Sequence, residues 1–125
     1  MSLVMVDTSV WIEFFRSGKK PVCDKLDVIL QQDEAAICGI IEMELLRGVR
    51  KHEKNTLKNR LAALHYLKTE REDFINAGEK LNQLRNKGIT IPSTDALIGQ
   101  ICIKYGIKLL TMDHHFDHLE EVVQY

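Results

Sequence analysis

The chain has 125 residues, of which 45% are hydrophobic and 28% charged, and its formal net charge is −1 at pH 7. This size and balance predict one globular domain over residues 1–125 and argue against a disordered chain. No apolar run approaches the roughly 18 residues of a membrane-spanning helix, and the first residues lack the pattern of a secretory signal. Three scattered cysteines (Cys23, Cys38 and Cys102) argue against a disulfide framework, so we expect a cytoplasmic protein without membrane contact.

Short apolar runs alternate with helical periodicities along the chain. In chain order, the sequence predicts a strand at 3–6, a helix from Thr8, a helix from Pro21 to about Gln32, a strand at 35–38, a helix after Gly39, helices at 54–64 and 72–87, a helix from Pro92 that Gly106 ends, a strand at 107–111 and a short strand at 121–124. The buried stripe of the helix at 72–87 is predicted to be Phe74, Ala77, Leu81 and Leu84. This alternation predicts a three-layer α/β/α fold with a central, mostly parallel sheet of about four or five strands.

Four carboxylates occupy positions where a parallel sheet gathers its binding sites. Asp7 and Asp113 each follow a predicted strand, Asp95 lies in the first turn of a helix, and Glu44 lies on the helix after the second strand. Taken singly, each has a structural explanation: a helix cap, a turn, the helix dipole or an exposed helix position. Because the carboxyl ends of parallel strands share one edge of the sheet, we expect the acids to converge there.

Converging carboxylates repel one another, and a divalent cation relieves that repulsion. Oxygen ligands suit Mg²⁺ or Mn²⁺, and a carboxylate-held ion suits phosphodiester hydrolysis. The chain has no glycine-rich phosphate loop, no nucleophile elbow and no zinc-protease motif. A phosphate-accepting receiver domain is also disfavoured, because no aspartate occurs between Asp33 and Asp73.

Glu42 and Glu44 are alternatives for the acid of the third helix. Two residues apart on a helix places them on roughly opposite faces, so only one can point at the site. Gly48 follows Glu44 by one turn and leaves space on that face. We therefore prefer Glu44.

Four segments resemble the motifs of PIN-domain ribonucleases, in the order that this family has them. They are residues 6–11 (VDTSVW), 44–48 (ELLRG), 92–98 (PSTDALI) and 110–116 (LTMDHHF). One such motif would be weak evidence, whereas four in order with suitable spacing identify the chain as a PIN-domain candidate over almost its whole length.

The resemblance implies a PIN fold and Mg²⁺- or Mn²⁺-dependent RNA cleavage, with Asp7, Glu44, Asp95 and Asp113 as the metal-holding acids. A PIN domain of this size most resembles the VapC-type toxins of toxin–antitoxin pairs. Such proteins are endoribonucleases that usually form homodimers, and a small VapB-like antitoxin silences them by inserting its tail into the active-site groove. A PIN scaffold that binds RNA or a partner without cutting is the alternative.

One position departs from the family pattern. Many relatives carry a further acid before the phenylalanine of the last motif, where this chain has His115, and Asp117 follows the phenylalanine instead. His115 could tune metal binding in place of the missing carboxylate, or it could be a surface histidine. Three hydroxyls flank the acids and are expected to cap helices or orient carboxylates: Thr8, Ser9 and Thr111.

Basic residues follow the third helix. Arg47, Arg50 and Lys51 begin a run that continues to Arg60 with Glu53 as its single acid. The run is either a solvated helix surface or a strip that attracts RNA phosphates. Upstream, Trp11, Phe14 and Phe15 lie within one short predicted helix and cannot all face one core, so part of that cluster is a candidate surface for an antitoxin or a second subunit.

Overall fold

A four-stranded parallel sheet with the order β3-β2-β1-β4 lies at the centre of the protein, which a computed structural model describes over residues 2–125. Its strands are β1 (Val4–Val6), β2 (Ala35–Cys38), β3 (His65–Leu67) and β4 (Lys108–Leu110). Every residue of β1 and β2 is buried. Because successive side chains of a strand point to opposite faces, helices must cover both faces of the sheet. The predicted α/β/α architecture is confirmed.

Within residues 2–125, six α-helices connect the strands and flank the sheet. They are α1 (Thr8–Arg16), α2 (Pro21–Gln31), α3 (Gly39–Gly48), α4 (Lys54–Ala62), α5 (Arg71–Asn86) and α6 (Ser93–Tyr105), with 3-10 turns at Lys51–Glu53 and His114–His118. Pro21 opens α2, where the missing N–H costs nothing, and Gly106 ends α6 with φ of 64°, as predicted. Across residues 2–125, no helix combines the length and apolarity that a membrane crossing requires.

The third strand is the element that the sequence did not predict. The helix expected to reach about Leu64 ends at Ala62, and His65–Leu67 then pair with β2. With Leu67 as its only fully buried residue, so short a strand carries almost no apolar signal. The tail, expected to add a strand, contributes a single parallel bridge between Gln124 and Leu109.

The buried stripe of α5 was predicted in the wrong register at its first turn. Phe74 is 56% exposed, whereas its neighbour Asp73 is 2% exposed. Asp73 can be buried because its Oδ2 atom accepts hydrogen bonds from the backbone N–H of Glu70 (2.7 Å) and from Lys104 Nζ (3.0 Å). Paired in this way, a carboxylate is stable at a position where an unpaired charge is not.

The chain after β4 packs closely onto α6. A Cβ atom added to Gly99 would lie 2.7 Å from Leu119 Cδ1, so a larger residue at this position would force the Leu119 side chain to move. Phe116 is 1% exposed and anchors the 3-10 turn in the core. This packing holds the end of the chain over α6 and next to the carboxyl edge of the sheet.

All three cysteines are free and buried, in agreement with the prediction of no disulfide framework. Burial raises the pKa of Cys38 to about 11, and it raises the pKa of Cys102 as well. Both groups therefore remain unreactive thiols at neutral pH.

Candidate metal centre at the carboxyl edge of the sheet

Asp7 immediately follows β1 and is 4% exposed. It occupies the N-cap position of α1, but its side chain makes no capping hydrogen bond. Instead, its Oδ2 atom accepts hydrogen bonds from Ser9 Oγ (2.9 Å) and Thr111 Oγ1 (2.8 Å). The carboxylate is thus oriented by hydroxyls from two different segments and is not used to start the helix.

Asp113 lies three residues after β4, where the chain leaves the sheet. Its Oδ1 atom accepts the backbone N–H of His115 (2.9 Å), which caps the 3-10 turn, and its own N–H donates to Thr111 Oγ1 (2.9 Å). The Thr111 hydroxyl therefore joins the backbone of Asp113 to the side chain of Asp7. Ser9 makes a second such link, since its Oγ accepts the N–H of Met112 (3.2 Å).

Asp95 projects from the first turn of α6 and is 8% exposed. His115 Nδ1 lies 2.9 Å from Asp95 Oδ2 and 2.9 Å from Asp113 Oδ1. One donor atom from each of Asp95, Asp113 and His115 lies within 4.8 Å of the others, which is close enough for a single cation. Two segments far apart in the sequence therefore meet at one point.

Burial and mutual repulsion act on these acids. The pKa of Asp7 is raised, mainly by burial and further by the charge of Asp113, although the Thr111 and Ser9 hydrogen bonds oppose the rise. The pKa of Asp95 is also raised, chiefly by burial and then by the charges of Asp7 and Asp113. The hydrogen bond to Asp95 raises the pKa of His115. The acids feel one another's charge, as expected for a converging set.

Glu44 lies on α3 at the side of this group. It is half-buried, and its Oε1 atom accepts a hydrogen bond from Thr8 Oγ1 (2.8 Å). It is not among the three residues that share a cation-sized space. Thr8, the residue after Asp7, therefore connects Glu44 to the start of α1, and Glu44 also lines an open groove. A Cβ added to Gly48, one turn away, would meet nothing within 4 Å, so the face is free as expected.

Asp117 is placed elsewhere. Its carboxylate accepts a hydrogen bond from Gln124 Nε2 (2.8 Å) and pairs with His114 Nδ1 (3.3 Å), and both interactions lower its pKa. The structure does not bring it together with Asp95 and Asp113.

The sequence did not predict the groove beside Glu44, although it indicated two of the segments that line it. It has a volume of about 730 Å³ and lies between α1, α3 and the start of α4. Its apolar lining comes from Ile12, Phe15, Leu45, Val49 and Leu57, and its charged lining from Arg16, Arg50, Arg60, Glu44 and Glu53. The signal that could have pointed to it was the aromatic run in α1, because Trp11 is buried while Phe15 remains 41% exposed.

Comparison with known proteins identifies the family. The family model of the PIN domain matches residues 4–122. The chain belongs to the PIN domain family. This PIN domain is 29% identical to ribonuclease VapC11 of Mycobacterium tuberculosis and to a VapC ribonuclease of Mycobacterium bovis, over 96% of this chain and 93% of each relative.

Solved structures show that the PIN fold extends over the whole chain. A chain of the DNA-bound VapBC complex from Salmonella typhimurium matches with a TM-score of 0.84 at 18% identity, covering 100% of this chain and 98% of that one. A chain of VapBC2 from Rickettsia felis, bound to a promoter DNA fragment, matches with a TM-score of 0.81 at 22% identity, covering 98% and 97%. At these identities, the likeness concerns the fold.

The basic strip of this PIN domain lies on the rim of the groove and beyond it. Arg47, Arg50 and Lys51 are all exposed, and Arg50 lines the groove itself. Within residues 2–125, Arg47 forms no salt bridge with Glu44 or Glu53, and Glu53 pairs with His52. The strip is therefore available to an external anion.

Proposed function

We propose that this PIN domain is an endoribonuclease that hydrolyses RNA phosphodiester bonds through metal-activated water, as a VapC-type toxin. The observation that carries the proposal is the convergence of Asp95, Asp113 and His115 within 4.8 Å of one another, with the Asp7 side chain linked to the Asp113 backbone through the Thr111 hydroxyl. The family membership and the ribonuclease names of the two relatives reported above support it.

The donor set fits a divalent cation. Carboxylate oxygens from Asp95 and Asp113 and a ring nitrogen from His115 lie within 4.8 Å of one another, and the nearby acids Asp7 and Glu44 complete the proposed metal-holding group. Oxygen-rich sets of this kind suit Mg²⁺ or Mn²⁺. Bound there, the ion supplies positive charge to the phosphodiester and makes a water molecule a better nucleophile.

The side chains of the protein position the reacting groups. Both hydroxyl donors bind Oδ2 of Asp7, and together they fix the orientation of this carboxylate. Thr8 fixes Glu44 in the same manner. These three hydroxyls are positioning residues, and substitutions in such supporting contacts commonly weaken metal affinity about 10–100-fold.

The exposed basic residues suit the RNA backbone. Arg47, Arg50 and Lys51 follow the helix that carries Glu44, so a phosphate chain entering the acidic centre can lie along them. Contacts of this type attract a polyanion without reading its sequence.

The groove suits an antitoxin, which we propose to be a small VapB-like protein. Its apolar floor cannot bind phosphates, but it fits the apolar face of a peptide segment, and the three arginines favour carboxylates on that segment. Because Glu44 lines the same groove, an occupant would cover an active-site acid. A cytoplasmic homodimer of single PIN domains completes the proposal.

The first experiment tests cleavage. Purified protein is incubated with structured RNA and Mg²⁺ or Mn²⁺, beside Asp7→Asn, Asp95→Asn and the control Asp27→Asn, an exposed aspartate of α2. We expect metal-dependent cleavage that falls by at least about 100-fold in the two site variants, comparable with the loss of a key transition-state contact. Cleavage that continues in EDTA or in the site variants would overturn the proposal, and RNA binding without cleavage would favour the non-cutting alternative.

The second experiment tests the groove. If a small open reading frame lies beside the gene, the protein is co-expressed with its product, and the affinity of the pair is measured for the wild type, Phe15→Asp and the control Phe74→Asp. Both residues are exposed phenylalanines, but only Phe15 lines the groove. A charge in an apolar interface should weaken binding by at least about 2 kcal/mol. Equal losses in both variants, or none, contradict the groove assignment.

A further inference from the structure

His115 is the member of the group Asp95, Asp113 and His115 that is not a carboxylate. Its Nδ1 atom points between two carboxylates, at 2.9 Å from Asp95 Oδ2 and 2.9 Å from Asp113 Oδ1. Its side chain is 46% exposed, so the ring is accessible from solvent although its nitrogen faces inward. The ring nitrogen thus lies beside the carboxylate oxygens that could bind a cation.

The fold fixes this placement. The backbone N–H of His115 is held by Asp113 Oδ1, and the next residue, Phe116, is anchored in the core. The preceding residue shows the contrast. His114 has a side chain that is 96% exposed and pairs only with Asp117 on the outer side of the turn. Of two adjacent histidines, one is directed to the acids and the other to solvent.

We propose that His115 is a metal ligand through Nδ1, and that the resulting set of two carboxylates and one imidazole makes this site prefer Mn²⁺ to Mg²⁺. The inference rests on the proposed metal-dependent nuclease and defines its cofactor. Imidazole is a good ligand for first-row transition metals, whereas Mg²⁺ binds oxygen donors almost exclusively.

Spectroscopy tests the ligand directly. Pulsed EPR of the Mn²⁺-loaded protein detects a coordinated ¹⁴N nucleus through its hyperfine coupling. We expect this signal in the wild type and in the control His114→Gln, and its loss in His115→Gln and His115→Asp. A nitrogen signal that survives in His115→Gln, or that is missing from the wild type, overturns the inference.

Metal competition tests the preference. Dissociation constants for Mn²⁺ and Mg²⁺ are measured by titration calorimetry in the wild type, His115→Asp and His114→Gln. We expect the Mn²⁺-over-Mg²⁺ preference to fall at least about tenfold in His115→Asp and to stay unchanged in His114→Gln. An unchanged preference in His115→Asp refutes the inference.

Failure of the inference and failure of the proposed function are distinguishable. If Asp95→Asn abolishes Mn²⁺ binding but the wild type shows no nitrogen coupling, the acidic centre stands and only the role of His115 is wrong. If the wild type binds no Mn²⁺ that depends on Asp95, both are wrong. Melting curves in EDTA check that the His115 variants are folded.

Discussion

Buried carboxylates occur in two kinds of surroundings in this protein. Glu13 and Asp73 lie away from the centre, and each has a cation from the chain: Arg16 and Lys20 for the first and Lys104 for the second. Asp7 and Asp95 lie at the carboxyl edge, and neither forms a salt bridge with a lysine or arginine anywhere in residues 2–125. Helix α6 shows both cases, with Asp95 in its first turn and Lys104 in its last.

The difference separates structural charge from functional charge. Burying a carboxylate costs free energy unless a cation or hydrogen bonds compensate. Where the chain supplies its own lysine, the interaction serves the fold. Where it supplies only hydroxyls and a histidine to several acids, an external cation would relieve the repulsion between them. This is the physical basis for proposing a metal at one end of α6 and none at the other.

The largest expected effect is metal-induced stabilisation. A ligand that binds only the folded state at 100 times its dissociation constant adds about 2.7 kcal/mol. We expect Mn²⁺ to raise the melting temperature of the wild type accordingly, and to leave that of Asp95→Asn nearly unchanged. Calorimetric melting with and without EDTA measures this, with Asp27→Asn as the control. A similar rise in Asp95→Asn would place the ion elsewhere.

A smaller effect should follow at the structural end of α6. Asp73→Ala removes both the hydrogen bond to the Glu70 backbone and the partner of Lys104. Because Lys104 is partly exposed and can be solvated, we expect a loss of about 2 kcal/mol, seen as a lower midpoint in urea denaturation. RNA cleavage should persist at temperatures where the variant is folded. Loss of cleavage without loss of stability would contradict the assignment of Asp73 to the fold.

The smallest effect concerns pH. Since the pKa of Asp7 is raised above its ordinary value of 3.8, the folded protein holds this proton more tightly than the unfolded chain does. The stability that this provides is complete below about pH 3.8 and is lost as the pH rises through the raised pKa. The asparagine of Asp7→Asn cannot ionise. In EDTA, the melting temperature of this variant minus that of the wild type should therefore increase between pH 4 and pH 7. A gap that narrows over this range contradicts the assignment.

The edge of the sheet could be predicted from the sequence because strand ends are easily recognised. Asp7 and Asp113 follow apolar runs, and parallel pairing places them at one edge. Two other features depend on tertiary contacts. Leu67 is the only fully buried residue of β3, and Asp73 is stable inside only because Lys104, 31 residues away, reaches it. Periodicity favours Phe74 over Asp73 because it contains no information about such partners.

The direction of the His115 side chain could not be predicted from the sequence either. The sequence allowed two roles for it, in metal binding or as a surface residue. Two adjacent histidines cannot be distinguished in the sequence. Their side chains point in different directions once Phe116, buried in the core, fixes the turn. The groove was missed for a related reason: its lining comes from α1, α3 and α4, whose mutual packing no local pattern reveals.

The anchoring of Phe116 has an evolutionary consequence. Because the core holds the turn through Phe116 and Leu119, the side chain at position 115 can change without disturbing the scaffold that presents it. Histidine and aspartate codons differ at a single nucleotide. If His115 is the ligand proposed above, a single point mutation would exchange an imidazole for a carboxylate beside Asp95 and Asp113, while the anchored turn stays the same.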